Sequence, residues 1–116
     1  MTTAALSPSK STIDWCAKLI AHPSVSMTPN MALIDEVKAF LDALGYETLV
    51  VRDESKTKAN LYATIGPAVD GGVILSGHSD VVPTEGQNWA SDPYSVDVRD
   101  DKLYGRGSCD MKGFLA

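Results

Sequence analysis

An apolar run at residues 73–78, VILSGH, restricts the possible folds of this chain more than any other segment. Turn-forming residues bound it, with AVDGG before it and Pro83 shortly after it. A short apolar run without polar alternation is typical of a central strand that is buried on both faces. Because helical patterns precede this run and a helix start follows it, the sequence predicts an α/β domain built around a sheet.

Hydrophobic periodicity and turn residues predict the other elements. Ser11 or Thr12 is predicted to cap a first helix, which ends before Pro23 because the residue preceding a proline is disfavoured in helical conformation. Asn30 is predicted to cap a second helix, and Gly45 to terminate it. The further predicted elements are strands at 46–51 and 60–65, a hairpin around 99–101 and a helix that starts within MKGFLA.

Charge and composition exclude several classes of function. The net charge is −5 and the ten Lys and Arg residues are scattered, which argues against a nucleic-acid partner because phosphate binding needs a concentrated basic surface. No apolar run reaches the roughly 18 residues of a membrane span, and the polar N-terminus does not resemble a signal peptide. We therefore expect a cytoplasmic protein without a membrane partner. Its two cysteines, Cys16 and Cys109, are expected to be packed thiols without a disulfide.

The apolar run ends by presenting His78 and Asp80 two residues apart. Side chains at this spacing project from the same face of a strand, and the carboxyl end of a central strand borders the ligand crevice of α/β proteins. A histidine there can bind zinc through one ring nitrogen while a carboxylate holds the other N–H. A hydrogen-bonded pair with only a structural role fits the same pattern.

A second motif, LYGRGSCDMKG, occupies residues 103–113. Asp110 follows its first two glycines, and a single aspartate at such a turn can bridge two metal ions about 3.5–4 Å apart, the spacing of two-metal hydrolases. The alternative for Asp110 is a helix N-cap. Arg106 and Lys112 could offset negative charge around the site, but the favoured prediction is that they are solvated or ion-paired surface residues.

Together the motifs resemble the N-terminal part of the dinuclear zinc aminoacylase and carboxypeptidase superfamily, through SGHSDVVP, GQNWASDPY and KLYGRGSCDMKGF. Within it the resemblance is greatest to the acetylornithine deacetylases and runs from TIDWCAKLIAHPSVS to the last residue. It implies that His78 binds one metal, that Asp80 is catalytic and orients His78, and that Asp110 bridges both metals. It also implies a cis peptide bond at Asp110-Met111.

For fold and activity, the resemblance implies a zinc-exopeptidase-like α/β/α catalytic domain with a mixed sheet over residues 11–116, after a flexible tail at 1–10. The implied cofactors are two zinc ions per subunit, with cobalt able to replace them. The implied reaction of a homodimeric enzyme is deacetylation of N-acetyl-L-ornithine, or of a related N-acyl amino acid, in arginine biosynthesis. Succinyl-diaminopimelate desuccinylase is the alternative within the superfamily, and a non-catalytic α/β module is the alternative outside it.

The resemblance also implies parts that have no matching motif in this chain. The family uses a Glu-Glu pair that contains the general base, a further acidic ligand and a distal histidine. Glu85 is the only glutamate after the first motif. We therefore expect these groups, and a dimerisation domain, to lie beyond Ala116 in a longer enzyme, and the 116-residue chain to be inactive alone.

Overall fold

The structure, a computed structural model, describes residues 8–116. This range divides into two compact units, which we call the motif unit (residues 8–23 and 77–116) and the helix–hairpin unit (residues 24–76). No helix in this part of the chain is long and apolar enough to cross a membrane. The elements are α1 (Lys10–Ala21), α2 (Met31–Ala43), β1 (Glu47–Arg52), β2 (Ala59–Thr64), β3 (Asp97–Arg99), β4 (Lys102–Tyr104) and α3 (Lys112–Leu115).

Helix α1 begins slightly earlier than predicted and ends where predicted. Its cap is Ser9, whose Oγ accepts a hydrogen bond from the backbone N–H of Thr12 at 3.1 Å. His22 leaves the helical region with φ −84° and ψ 112°, as expected for a residue before proline. Of the predicted tail, residues 1–7 lie outside the described range, and Lys10 already belongs to α1.

The predicted end of α2 is confirmed. Gly45 has a φ of +80°, a left-handed conformation that glycine adopts without the steric cost other residues bear. Its N–H donates to the Asp42 carbonyl at 2.9 Å, and the N–H of Tyr46 donates to the Leu41 carbonyl at 3.1 Å. These two bonds satisfy carbonyls that the last helical turn leaves unpaired, in the arrangement of a Schellman motif.

Asn30 precedes α2 as predicted, but its side chain does not cap the helix. Instead, its amide group donates to the carbonyl of Ala59 at 3.0 Å and accepts from the N–H of Ala59 at 2.9 Å. The backbone N–H of Asn30 also donates to the Thr57 carbonyl at 3.2 Å. Asn30 therefore joins the start of α2 to the start of β2, and this pairing uses the side-chain oxygen that a cap would need.

The strands β1 and β2 form an antiparallel hairpin on which α2 packs. Leu33 and Ile34 of α2 and Ala59 of β2 are buried in this unit. Leu49 pairs with Tyr62 in the register, and both side chains are more than half exposed. Since side chains alternate between the faces of a strand, the hairpin has a covered face and an open face.

The predicted central strand at 73–78 is wrong. Residues 71–80 form no regular element, and Val73, Ile74 and Leu75 are 87%, 77% and 81% exposed. A strand needs a neighbour to pair with its N–H and C=O groups, and within residues 8–116 the four strands pair only as two separate hairpins. The α/β class is confirmed, whereas a single mixed sheet is not formed in this range.

In the motif unit the predicted hairpin is confirmed as β3 and β4. Asp100 and Asp101 connect the strands with φ values of 52° and 56°, the two successive positive values of a type I′ turn. Ile20 of α1 is fully buried. A Cβ added at Gly105, which follows β4, would lie 3.1 Å from two atoms of Ile20. Glycine at this position therefore lets the backbone after β4 approach α1 closely.

Candidate metal site

His78 joins the two sequence motifs. Its Nε2 lies 3.1 Å from Oδ1 of Asp110, which is 32 residues later in the chain. Its Nδ1 lies 3.1 Å from the backbone oxygen of Asp80 and 3.1 Å from Oδ1 of the same residue. The structure thus brings together the three residues singled out in the sequence, whose roles at a metal remain a prediction.

The surroundings of His78 favour the protonated ring. The hydrogen bond to the Asp80 backbone oxygen raises the pKa of His78, and the hydrogen bond and negative charge of Asp110 add to that shift. In the neutral ring, an N–H at Nδ1 that donates to Asp80 leaves the lone pair of Nε2 directed towards Asp110. Because both ring nitrogens face acceptor oxygens, the ring can donate at both, and a metal at Nε2 would take the place of that proton while Nδ1–H still donates to Asp80.

The distance between these two atoms fits ligation of one metal ion. Zinc binds histidine nitrogen and carboxylate oxygen at about 2.0–2.2 Å in tetrahedral geometry, which places two such donors about 3.4 Å apart. Nε2 of His78 and Oδ1 of Asp110 are separated by 3.1 Å. The Asp110 side chain is 84% exposed, so its second oxygen is accessible to a further ion.

These residues supply part of a ligand set. A structural zinc site uses four protein ligands, and a catalytic zinc site uses three protein ligands and a water. Within residues 8–116, no group of three or more His, Cys, Asp or Glu side chains converges in a way that could hold a metal. His78 and Asp110 therefore fit as two ligands, with Asp80 beside the opposite nitrogen of the imidazole.

Glycines allow the two motifs to approach each other. A Cβ added at Gly77, just before His78, would lie 2.8 Å from Cδ2 of Leu115 and 3.2 Å from Cδ1 of Phe114. A Cβ at Gly113 would lie only 2.2 Å from the carbonyl oxygen of Ser108. Helix α3 thus packs directly against the backbone of both motifs. Asp110-Met111 is a cis peptide bond, as the resemblance implied.

Lys112 was predicted to be a surface residue, and that prediction is wrong. Its side chain is fully buried, and Nζ donates to the backbone oxygens of Leu19 and His22 at 2.7 Å each. Burial lowers the pKa of Lys112 to about 8, while the charge interaction with the buried thiol of Cys16 opposes that shift. Sequence pattern gave no signal for this burial, because lysine is almost never fully buried.

Two further predictions about the second motif are corrected. The guanidinium of Arg106 lies over the ring of Trp89, 5.1 Å from its centroid, and donates to the Gln87 side chain. Arg106 is therefore half-buried and packed as a cation–π partner, a contact that the prediction did not include. Cys109 is an exposed free thiol, whereas Cys16 is buried in the core as predicted.

Comparison with known proteins gives concordant matches. Residues 74–116, which contain both motifs, match the model of Peptidase family M20/M25/M40. The chain is 40% identical over 111 residues to an acetylornithine deacetylase of Proteus mirabilis (strain HI4320), a match that covers 90% of this chain and 28% of the relative. It is 41% identical over 105 residues to an acetylornithine deacetylase of Pasteurella multocida (strain Pm70), covering 84% of this chain and 27% of the relative.

Among solved structures, the chain is similar to human carnosine dipeptidase 1, with a TM-score of 0.76 and 27% identity over 90% of this chain and 26% of that one. The chain thus spans 28% of the length of the curated relative from Proteus mirabilis. The resemblance inferred from the two motifs is confirmed: residues 74–116 match peptidase family M20/M25/M40, and 90% of the chain is similar to an acetylornithine deacetylase.

Proposed function

We propose that this chain is part of the catalytic domain of a metal-dependent hydrolase that deacetylates N-acetyl-L-ornithine to L-ornithine and acetate. The observation that carries the proposal is the approach of His78 Nε2 to Asp110 Oδ1 at 3.1 Å, across two motifs that are 32 residues apart. The similarity to acetylornithine deacetylases at 40% identity supports this substrate over a succinylated diamino acid. The biological role would then be arginine biosynthesis in the cytoplasm, by a homodimer.

Each residue has a defined role in this proposal. His78 and Asp110 would hold zinc, or cobalt in its place, and the second oxygen of Asp110 would reach a second ion. Asp80 contacts Nδ1 of His78 and would hold a proton on that nitrogen when Nε2 binds the metal. Zinc, when bound, supplies Lewis acidity that polarises an amide carbonyl and lowers the pKa of water. The general base and the remaining ligands would come from outside residues 8–116.

Zinc binding by the full 116-residue chain tests the site. We expect Zn²⁺, titrated in competition with a chromophoric chelator, to bind with an affinity that falls by at least about tenfold in His78→Ala and in Asp110→Asn, since each removes one donor. Asp101→Asn is the matched control, because Asp101 lies in the β3–β4 turn, where asparagine is equally suited. Wild-type affinity in both site variants would contradict the assignment of these ligands.

The second arm of this experiment concerns the substrate. The zinc-loaded 116-residue chain is expected not to hydrolyse N-acetyl-L-ornithine, because His78, Asp80 and Asp110 include no general base. A longer protein that contains this chain together with the general base and the remaining metal ligands is expected to have a higher kcat/KM for N-acetyl-L-ornithine than for N-succinyl-L,L-diaminopimelate. The reverse preference would replace the proposed substrate and leave the proposed metal ligands in place.

A further inference from the structure

Lys112 places a positive charge inside the motif unit, at the end of α1. Its Nζ donates to the carbonyl of Leu19, in the last turn of α1, and to that of His22, which follows the helix. The last carbonyls of a helix lack intrahelical partners and carry partial negative charge, so a cation is favourable there. No carboxylate within residues 8–116 forms an ion pair with Lys112. Its ammonium is therefore held by the end of α1.

The same residue holds the loop that carries Asp110. The backbone N–H of Lys112 donates to the carbonyl of Gly107 at 2.8 Å, which closes a loop over residues 107–112. A Cβ at Gly107 would lie 3.1 Å from Cδ of Lys112 and 3.3 Å from its Cγ, so the lysine stem runs against the start of this loop. Lys112 thus contacts α1 with its head and the loop with its stem and backbone.

The carboxylate of Asp110, by contrast, has little around it. Its side chain is 84% exposed, and within the described part of the chain its hydrogen bond is to Nε2 of His78. Two metal-binding atoms on exposed side chains keep a constant separation only if the backbone that carries each side chain is held in place. For Asp110 that backbone is the loop closed by Lys112.

We propose that Lys112 is a positioning residue that sets the distance between Asp110 and His78 by anchoring the 107–112 loop to the end of α1. This inference rests on the proposed function, in which both residues bind metal. Burial of an ammonium is costly unless hydrogen bonds compensate it, and an apolar side chain would fill the same volume without that cost. The two hydrogen bonds also fix the orientation of the Lys112 side chain, because hydrogen bonds are directional and hydrophobic contacts are not.

A double-mutant cycle on zinc affinity tests the role. Lys112→Met keeps an unbranched side chain of similar volume and removes the donors. Affinity is expected to fall about tenfold, within the range seen when residues that orient metal ligands are changed. In the Asp110→Asn background, Lys112→Met is expected to have no further effect, because the ligand it positions is already lost. Lys102→Met, at an exposed lysine of the same unit, is the control.

A spectroscopic reading separates positioning from general stability. The absorption spectrum of bound Co²⁺ reports its ligands, so Lys112→Met is expected to give the spectrum of Asp110→Asn and not that of the wild type. Circular dichroism establishes that each variant is folded. If Lys112→Met does not fold, Lys112→Gln, whose shorter side chain carries a neutral amide in place of the ammonium, takes its place in the same cycle.

The possible results separate this proposal from the proposed function. Wild-type affinity in folded Lys112→Met, or an equal loss in the presence and absence of the Asp110 carboxylate, overturns the positioning role and leaves the metal site standing. Wild-type zinc binding that is insensitive to His78→Ala and Asp110→Asn overturns both. A loss confined to the background that retains Asp110 supports both.

Discussion

The two units of this chain are built in different ways. The helix–hairpin unit is one continuous segment, in which α2 packs on the β1–β2 hairpin. The motif unit combines two distant segments, and its candidate ligands lie in irregular backbone. A repeating apolar face is enough to pack a helix on a hairpin, whereas a metal site needs single side chains at particular points. The first unit is therefore specified by periodicity, and the second by a few close contacts.

Overpacking one such contact should have the largest effect. Gly113→Ala would place a Cβ 2.2 Å from the carbonyl oxygen of Ser108, so one backbone segment must move. We expect the free energy of unfolding to fall by about 3 kcal/mol, the upper part of the usual range for overpacking. Urea denaturation followed by circular dichroism measures the change.

Gly86→Ala in the same unit is the control for this substitution. Gly86 has a φ of +75° and no atom within 4 Å of the added Cβ, so alanine there costs only the left-handed backbone strain of about 1–2 kcal/mol. Equal losses in the two variants would show that the close approach at Gly113 contributes nothing, and would weaken the contrast between the units.

In the helix–hairpin unit, the largest single effect outside the core is expected at Asn30. Asn30→Ala removes two partly buried hydrogen bonds to Ala59, which together contribute about 2 kcal/mol. Asn60→Ala, at an exposed position of β2, should change stability by less than about 0.5 kcal/mol. Equal effects in thermal denaturation would show that the Asn30 pairing does not stabilise this unit.

The smallest expected change in stability is the pH-dependent contribution of Asp42. The hydrogen bond from Lys38, and then that from Thr48, lowers the pKa of Asp42 below its ordinary value of 3.8. A carboxyl whose pKa is lowered on folding stabilises the fold above its ordinary pKa, and that contribution is lost as the pH falls through the folded value. Asp42→Asn should therefore reduce stability at neutral pH slightly, and the difference from the wild type should vanish in acid.

Asp35→Asn, at an exposed position of the same helix, is the control for the pH experiment. Urea midpoints measured from pH 7 down to pH 2 provide the comparison. A constant difference between Asp42→Asn and the wild type over that range would contradict a role for the charged carboxylate.

Sequence reasoning predicted best the elements whose signals are local. The end of α1 before Pro23, the end of α2 at Gly45 and the β3–β4 hairpin depend on steric rules of one or two residues. The run at 73–78 failed because an apolar segment becomes a strand only beside other strands, and residues 8–116 place none beside it.

The sequence predicted which side chains form the candidate site, but not which residues pack around them and hold them in place. The motifs indicated His78, Asp80 and Asp110, and the structure places these side chains in mutual contact through His78. The burial of Lys112 and the exposure of Cys109 were missed, because both depend on which distant segment packs on the loop. A sequence pattern contains no information on that packing when the contacting residues are single and unrepeated.

The hydrogen bonds of Lys112 also bear on the order of folding. They join residues separated by 90 and 93 positions, so they form only after most of the chain has closed into a loop. Contacts of such long range are slow to form, whereas the adjacent segments of a hairpin meet early. We therefore expect the anchoring of the 107–112 loop to α1 to form late in folding.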